Sequence, residues 1–156
     1  MMMNKFILSM IAVGCLCMPA AAAKKKTVKQ ENPFLAPYTT QYGIPPFEKI
    51  KIEHYIPALE EGIKQHNAEI DAIVKQRSRA DFDNTVLALD RSGEVVSKVN
   101  YVFMALNESD ATPEMQALAE KLSPMITAHS DEVYMNLAHC NRIKAVHDNA
   151  YHLGLT

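Results

Sequence analysis

The fold is decided by the apolar spacing of residues 53–76, whose sequence is EHYIPALEEGIKQHNAEIDAIVKQ. Pro57 falls in the first turns of this stretch, where a missing backbone N–H costs least. Large apolar side chains recur at steps of three and four, with His66 in the one gap: Ile56, Leu59, Ile63, Ile70 and Ile73. Such spacing puts them on one face of an α-helix. We therefore predict a first helix over residues 53–76 with one buried face.

A second helix is predicted from the N-cap residue Asp83 to about Leu106. Gly93 is a weak point inside it, because glycine disfavours helix. The apolar stripe continues on both sides of this glycine: Val86, Leu89, Val96, Val99, Phe103 and Leu106. We expect the stripe to override the glycine and the helix to be continuous.

The third helix has the clearest start in the chain, at Thr112-Pro113-Glu114. These residues supply a cap, a first residue whose φ is already helical, and an acid in the first turn. Pro124 lies in the middle of this helix, where a proline removes a hydrogen bond. We expect it to kink the helix or to split it in two.

A fourth helix is predicted from about His139 to Tyr151, with Cys140, Ile143 and Val146 facing inward and Gly154 as its stop signal. Gly is scarce and Trp is absent, whereas residues that favour helix are common. No segment has the alternating period of a strand. The predicted fold class is all-α, with four helices forming a helical region over residues 53–156.

The N-terminal residues have the pattern of an export signal. Lys5 precedes an apolar run from Phe6 to Met18 that is too short to span a bilayer. Ala21 and Ala23 can occupy the two small positions before a signal-peptidase cut. Residues 1–23 are therefore predicted to be a signal peptide, and the mature protein is expected to be exported to a bacterial periplasm.

Cysteine usage leaves one alternative for this export signal. A lipid could be attached to Cys15 in a lipoprotein, although the position of Ala12 usually carries Leu in such signals. After residue 23 the chain keeps only Cys140. No intramolecular disulfide is then possible, which suits a periplasmic protein without disulfides.

Between the signal and the helices lie two segments of different composition. Residues 24–31 are polar and are predicted to be a linker. Residues 32–52 form a Pro-rich arm, which should be extended rather than helical or paired as a strand: Pro33, Pro37, Pro45 and Pro46. We expect its apolar side chains, including Phe34, to be only partly covered.

The residues that could carry chemistry do not form a convincing site. His139 and His147 lie about 12 Å apart along a helix axis, at ~1.5 Å per residue, which is too far for one metal ion. We expect both to be surface residues around a buried Cys140 thiol. His129 and Asp131 are two positions apart and point to different faces of a helix, which also excludes a triad with Ser130.

The remaining acids and methionines have plainer explanations. Acids near the first helix start complement the helix dipole: Glu53, Glu60 and Glu61. Four methionines without chelating spacing are interpreted as core residues: Met104, Met115, Met125 and Met135. No residue of this chain is therefore predicted to be catalytic, cofactor-binding or metal-binding. With 16 basic and 18 acidic residues, no nucleic-acid surface is indicated either.

One stretch resembles a known family. Residues 32–62, NPFLAPYTTQYGIPPFEKIKIEHYIPALEEG, resemble the start of the mature region in the thimet oligopeptidase and peptidyl-dipeptidase family of zinc metallopeptidases. Three further blocks follow in the family's order: FDNTV and ALDRSG in residues 82–93, LAEKLSPMITAHS in residues 118–130, and RIKAV with LGLT in residues 142–156. The block in residues 118–130, LAEKLSPMITAHS, resembles the exported peptidyl-dipeptidase branch of the family.

The resemblance implies a zinc-dependent hydrolase of short peptides, built as two helical lobes around a channel. Zinc in this family is held by a His-Glu-x-x-His motif, and no His of this chain is followed by Glu. The chain is thus expected to be an N-terminal fragment that lacks the catalytic region, binds no zinc itself and is inactive alone. Its implied partners are that missing C-terminal region and, through the full-length enzyme, short peptides.

A second hypothesis remains open beside the fragment. The chain could be an exported helical module that kept the lobe, lost catalysis and binds peptides or a partner protein through its Pro-rich arm. Its relation to the family would then be one of ancestry, without the peptidase activity.

Overall fold

The computed structural model describes residues 32–154, except for the side chain of Leu153. The predicted signal peptide, the alternative lipid site at Cys15 and the linker lie outside the described residues. Within them the chain is all-α, which confirms the predicted fold class. Its helices are α1 (Ile52–Val74), α2 (Ala88–Asp90), α3 (Glu94–Ser109), α4 (Pro113–Tyr134) and α5 (Leu137–Asp148), and a π-helical segment, Phe82–Leu87, leads directly into α2.

Helix α1 begins and ends within two residues of its predicted bounds. Its first turn is capped by His54, whose Nδ1 accepts a hydrogen bond from the backbone N–H of Lys51 at 3.1 Å. Pro57 lies inside the helix near its start, as expected. The predicted stripe faces the core at Leu59, Ile70 and Ile73, which are all buried.

The prediction of one continuous second helix is wrong. The chain turns at residues 91–93, where Gly93 adopts a left-handed backbone with φ of +70°. The N–H of Gly93 donates to Glu69 Oε2 at 2.8 Å instead of entering a helix. The N-cap is also two residues earlier than predicted, because Asp81 rather than Asp83 accepts from the backbone N–H of Asn84, at 2.8 Å. The apolar stripe is real, but two helical pieces with a glycine joint share it.

Helices α1, α3 and α4 form the body of the molecule. Tyr55 near the start of α1 meets Phe103 near the end of α3, with ring centroids 6.3 Å apart. Gly62, farther along α1, lies against Val95 at the start of α3. These contacts run in opposite directions along the two helices, so α3 is antiparallel to α1. The core between the three helices consists of Tyr55, Ala58, Leu59, Val99, Val102, Phe103, Met115, Leu118 and Leu122, together with Phe34 of the arm.

Helix α4 starts where the sequence predicts but is not split by its proline. Thr112 Oγ1 accepts from the backbone N–H of Met115 at 3.3 Å, which confirms the cap. The helix then continues through Pro124 to Tyr134. Pro124 is on the exposed side, so the carbonyl of Glu120 that loses its helical donor can bond to water.

Helix α5 is shifted from its prediction, and its inward face differs. It starts at Leu137, behind the cap Asn136, whose Oδ1 accepts from the N–H of His139 at 3.1 Å. His139 is buried and Cys140 is exposed, so the predicted buried thiol and surface His139 are both wrong. Ile143, also predicted to face inward, is exposed.

The inward position next to Ile143 is taken by Arg142 because its guanidinium finds oxygen acceptors there. Nη2 donates to Asn84 Oδ1 at 2.8 Å, and Nη1 donates to the carbonyl of Gln76 at 3.3 Å. These bonds attach α5 to the end of α1 and to the π-helical segment. Gly154 beyond the helix has a φ of +68°, as predicted for a stop signal.

The Pro-rich arm is anchored more firmly than predicted. Phe34 is completely buried, and its ring centroid lies 5.0 Å from that of Tyr55. Asn32 Nδ2 donates to the carbonyl of His54 at 2.8 Å, which holds the arm on α1. The arm is not simply extended, because it forms three short 3-10 turns: Pro33–Leu35, Gln41–Gly43 and Phe47–Lys49. Expecting Phe34 to be partly covered was therefore wrong, whereas Leu35, Ile44 and Phe47 are indeed partly exposed.

Candidate functional site

A groove of about 470 Å³ lies between α1, the α2–α3 joint and α4. His66 and His129 line its floor, and two tyrosines stand at its edge, Tyr101 with 72% of its surface exposed and Tyr134 with 73%. Its walls are mostly apolar: Val86, Leu89, Val96, Ile126 and Val133. Two histidines whose pKa values are both lowered thus meet in this groove.

His66 and His129, called here the histidine pair, bond directly to each other. His66 Nδ1 lies 2.9 Å from His129 Nε2, with the rings nearly perpendicular at 72°. On its other side, His66 Nε2 lies 3.0 Å from Ser92 Oγ. The pair thus connects α1, α4 and the turn between α2 and α3. Because α1 residue 66 meets α4 residue 129 while Ile56 shares a pocket with Leu118, the two helices are parallel.

The hydroxyl of Ser92 determines which group donates in each hydrogen bond of this series. Ser92 Oγ is 2.6 Å from the carbonyl oxygen of Leu89, which can only accept. Its single hydrogen therefore points to Leu89, and His66 Nε2 must donate to Ser92. In a neutral imidazole the other nitrogen then accepts, so His129 Nε2 donates to His66 Nδ1. The Ser92 hydroxyl is consequently not activated by His66, which rules out this pair as a serine-histidine nucleophile.

Burial disfavours the charged form of both imidazoles. Burial, followed by the proximity of His129, lowers the pKa of His66, and Glu69 opposes this. Burial lowers the pKa of His129 as well, against the attraction of Glu132. His129 is only 4% exposed, and its Nδ1 is buried without a hydrogen-bond partner among the described residues. The arrangement is a neutral, structural hydrogen-bond chain at the bottom of an open groove.

The joint at Gly93 is what allows His66 to sit in this position. A Cβ atom at residue 93 would come within 2.8 Å of His66 Nδ1. Glu69, one turn after His66 on α1, accepts from the N–H of Gly93. The glycine is thus required both for its left-handed backbone and for the close approach of the imidazole.

The residues weighed from the sequence as chemical candidates are distributed differently. His129 bonds to His66 rather than to its neighbours, and Asp131 is exposed, so no triad forms with Ser130. His139 is buried, whereas Cys140 and His147 are exposed. Within residues 32–154, no three His, Cys, Asp or Glu side chains are grouped so that they could hold a metal ion.

The sequence-based interpretations of the acidic residues and the methionines agree with the structure at some positions and not at others. Glu53 lies in the first turn of α1, 3.9 Å from the ammonium group of Lys51. Met115 is buried, but Met104 and Met135 are exposed, so the interpretation as core residues is wrong for these two. Sequence reasoning did not identify the histidine pair. The one signal was His66 standing in the gap of an apolar stripe, and its partner is 63 positions away.

None of the helices in the described part of the chain has the length and apolarity needed to cross a membrane.

Comparison with known proteins decides the family. The chain is 40% identical over 124 residues to a dipeptidyl carboxypeptidase of Salmonella typhimurium, which covers 80% of this chain and 18% of that protein. The dipeptidyl carboxypeptidase of Escherichia coli is 39% identical over the same length and the same shares. This chain belongs to the dipeptidyl carboxypeptidase and oligopeptidase A family. The family resemblance seen in the sequence is thereby confirmed.

Oligopeptidase A is a more distant relative of the chain. The protein of Salmonella typhimurium is 23% identical over 119 residues, which is 76% of this chain and 18% of that protein. A scan against models of protein families finds no match. The chain spans about a fifth of the length of the dipeptidyl carboxypeptidases that it matches.

Proposed function

We propose that this chain is a helical, non-catalytic segment of an exported, zinc-dependent peptidyl-dipeptidase that hydrolyses short peptides. The observation that carries the proposal is the 40% identity to a dipeptidyl carboxypeptidase across 80% of this chain. The dipeptidyl carboxypeptidases match this chain better than oligopeptidase A does, which supports the peptidyl-dipeptidase branch. The segment contributes helical structure beside the reaction, and its residues take no part in the chemistry.

Zinc enters this proposal only through the longer protein. The donors of residues 32–154 do not suit a zinc site, since no three of them converge, and no His-Glu-x-x-His motif occurs in the sequence. The metal would be held by residues outside this chain. No step of the hydrolysis is therefore assigned to any residue of this segment.

Export is part of the proposal because of the first 23 residues. Their charge, apolar run and Ala21-x-Ala23 ending are typical of a cleaved signal. Mass spectrometry of the secreted protein should find Lys24 at its N-terminus. A lipid-modified N-terminus at Cys15 would instead favour the lipoprotein alternative.

A second function is favoured by one observation, the groove between the histidine pair and the two exposed tyrosines. Exposed tyrosines beside an apolar cavity are common at protein and peptide interfaces. The chain could thus bind peptides without cleaving them, as an exported binding module. A peptide titration followed by NMR distinguishes the two functions, because a binding module would bind peptides without the rest of a peptidase.

Dipeptide release from a peptide with a blocked N-terminus tests the main proposal. The purified 156-residue chain should release no dipeptide, because it supplies no metal-held water. The dipeptidyl carboxypeptidase of Escherichia coli serves as the positive control and should lose activity with a chelator. Release by this chain alone, above a heat-denatured sample, would overturn its assignment as a non-catalytic segment.

A further inference from the structure

The hydrogen-bond chain of the histidine pair has one place left for another proton, and that place is buried. Its three nitrogens other than His129 Nδ1 are already committed by the bonds to Ser92 and between the rings. A proton added to the pair therefore leaves a hydrogen on His129 Nδ1, whichever ring carries the charge. Because that atom is buried without a partner among the described residues, the closed pair would hold an unpaired N–H.

Each imidazole has a carboxylate on its own helix that could receive it after separation. Glu69 follows His66 by three positions on α1, and Glu132 follows His129 by three on α4. Residues three apart on a helix are neighbours, and both carboxylates favour the charged form of their own histidine. Each histidine thus has two alternative partners. In the neutral pair it bonds to the imidazole on the other helix, and in the charged state it is attracted to the carboxylate on its own helix.

The other groups that face the groove favour the same response. Asp90 of α2 is the one carboxylate among the described residues that line the groove. The described lining residues include no Lys or Arg, and the polar groups from α3 and α4 are uncharged: Ser97, Asn100, Tyr101, Ser130 and Tyr134. Positive charge released into the groove would therefore meet the carboxylate of Asp90 rather than a cation.

We propose that the histidine pair is a pH-sensitive contact that joins α1 to α4 beside the groove while both rings are neutral and separates the two helices there when the pair takes up a proton. Separation breaks the bond between α1 and α4 and frees Ser92 from His66. The turn at Gly93 then loses both of its hydrogen bonds to α1, because Glu69 is also drawn from the Gly93 N–H to the imidazolium. This property stands on the contacts of the pair and does not depend on the proposed function.

The direction of the pH dependence follows from the lowered pKa of both histidines. In the unfolded chain each has its ordinary pKa, about 6.5. The folded protein resists protonation, so the pair's stabilising contribution is complete above that value. It is lost as the pH falls from there through the lowered pKa values of the folded state, and the loss levels off below them.

An NMR titration of the 156-residue chain tests this contact. The ring C–H signals of His66 and His129 should titrate together below the ordinary histidine value. The amide signal of Gly93 should shift with the same midpoint, because its attachment to Glu69 changes. His147 on α5, whose side chain is 85% exposed, lies outside this contact and provides a control position. If Gly93 stays unchanged while both rings titrate, the contact is only structural and the proposal fails.

The substitution His129→Gln separates charge from packing. Glutamine can donate to His66 Nδ1 or, after rotation, accept from it, so His66 could take a proton in place. We expect the pKa of His66 to move toward the ordinary histidine value. The pH-dependent shift of the Gly93 amide signal should then vanish. His147→Gln is the matched control and should leave both unchanged. A Gly93 shift that persists in a folded His129→Gln protein would overturn the proposal, and the wild-type titration decides the matter if that variant does not fold.

Discussion

Two glycines with nearly the same backbone but different surroundings show what the histidine pair demands at the scale of one residue. Gly93 and Gly43 have φ values of +70° and +67°. A Cβ would touch the His66 ring at residue 93 and would meet nothing within 4 Å at residue 43. The comparison therefore separates backbone strain from steric overlap.

Gly93→Ala should destabilise the protein clearly more than Gly43→Ala. Both substitutions place an alanine in a left-handed backbone conformation, which costs about 1–2 kcal/mol. Only the first must also displace the half-buried imidazole of His66, which we expect to add about 1 kcal/mol or more. Urea unfolding followed by far-UV circular dichroism measures both. Equal losses would mean that His66 is not held against residue 93.

Single residues also show what the sequence could not reveal. The cap at Thr112 is readable because its partner, the N–H of Met115, is three residues away. The bond between His66 and His129 depends on α1 and α4 being parallel and adjacent, which no local pattern states. Arg142 likewise faces inward because distant carbonyls accept from it, whereas arginine side chains are mostly exposed in proteins.

At the scale of the elements, the arm is the segment whose role changes most between sequence and structure. Its prolines correctly exclude a long helix or a paired strand. Burial of Phe34 against Tyr55 could not be inferred, because it needs the surface offered by α1 and α3. The arm is therefore a packed part of the helical body rather than a loose cover.

Phe34→Ala should destabilise the whole body, while Phe47→Ala in the same arm should not. Phe34 is fully buried in the core, and truncating a buried Phe costs about 3–5 kcal/mol. Phe47 is 43% exposed, so its loss should cost about 1 kcal/mol or less. Chemical unfolding of both variants measures the difference. A Phe34→Ala protein as stable as the wild type would show that the arm does not pack on α1.

The helices themselves were predictable where local signals and packing agree. The bounds of α1 and the start of α4 follow from apolar spacing and capping residues. The prediction failed at Gly93 because a stripe of apolar residues does not show whether the backbone between them is continuous. A carboxylate from α1 that binds the Gly93 N–H favours the break, and it comes from 24 positions away.

At the scale of the whole molecule, family membership carries more of the function than the site does. The described residues offer a groove, a neutral histidine pair and no three-ligand metal site. The relatives are several times longer than the matched segment. The chain is thus understood as a folded segment whose chemistry, in our proposal, belongs to the longer peptidase.

The most direct test is to replace the matched 124 residues of the Escherichia coli dipeptidyl carboxypeptidase with those of this chain. Release of dipeptides from a peptide with a blocked N-terminus, with and without chelator, is the measurement. The matching segment of the Salmonella typhimurium enzyme gives the control chimera. We predict chelator-sensitive activity in both. A folded but inactive chimera carrying this chain, beside an active control, would contradict its role as a segment of a peptidyl-dipeptidase.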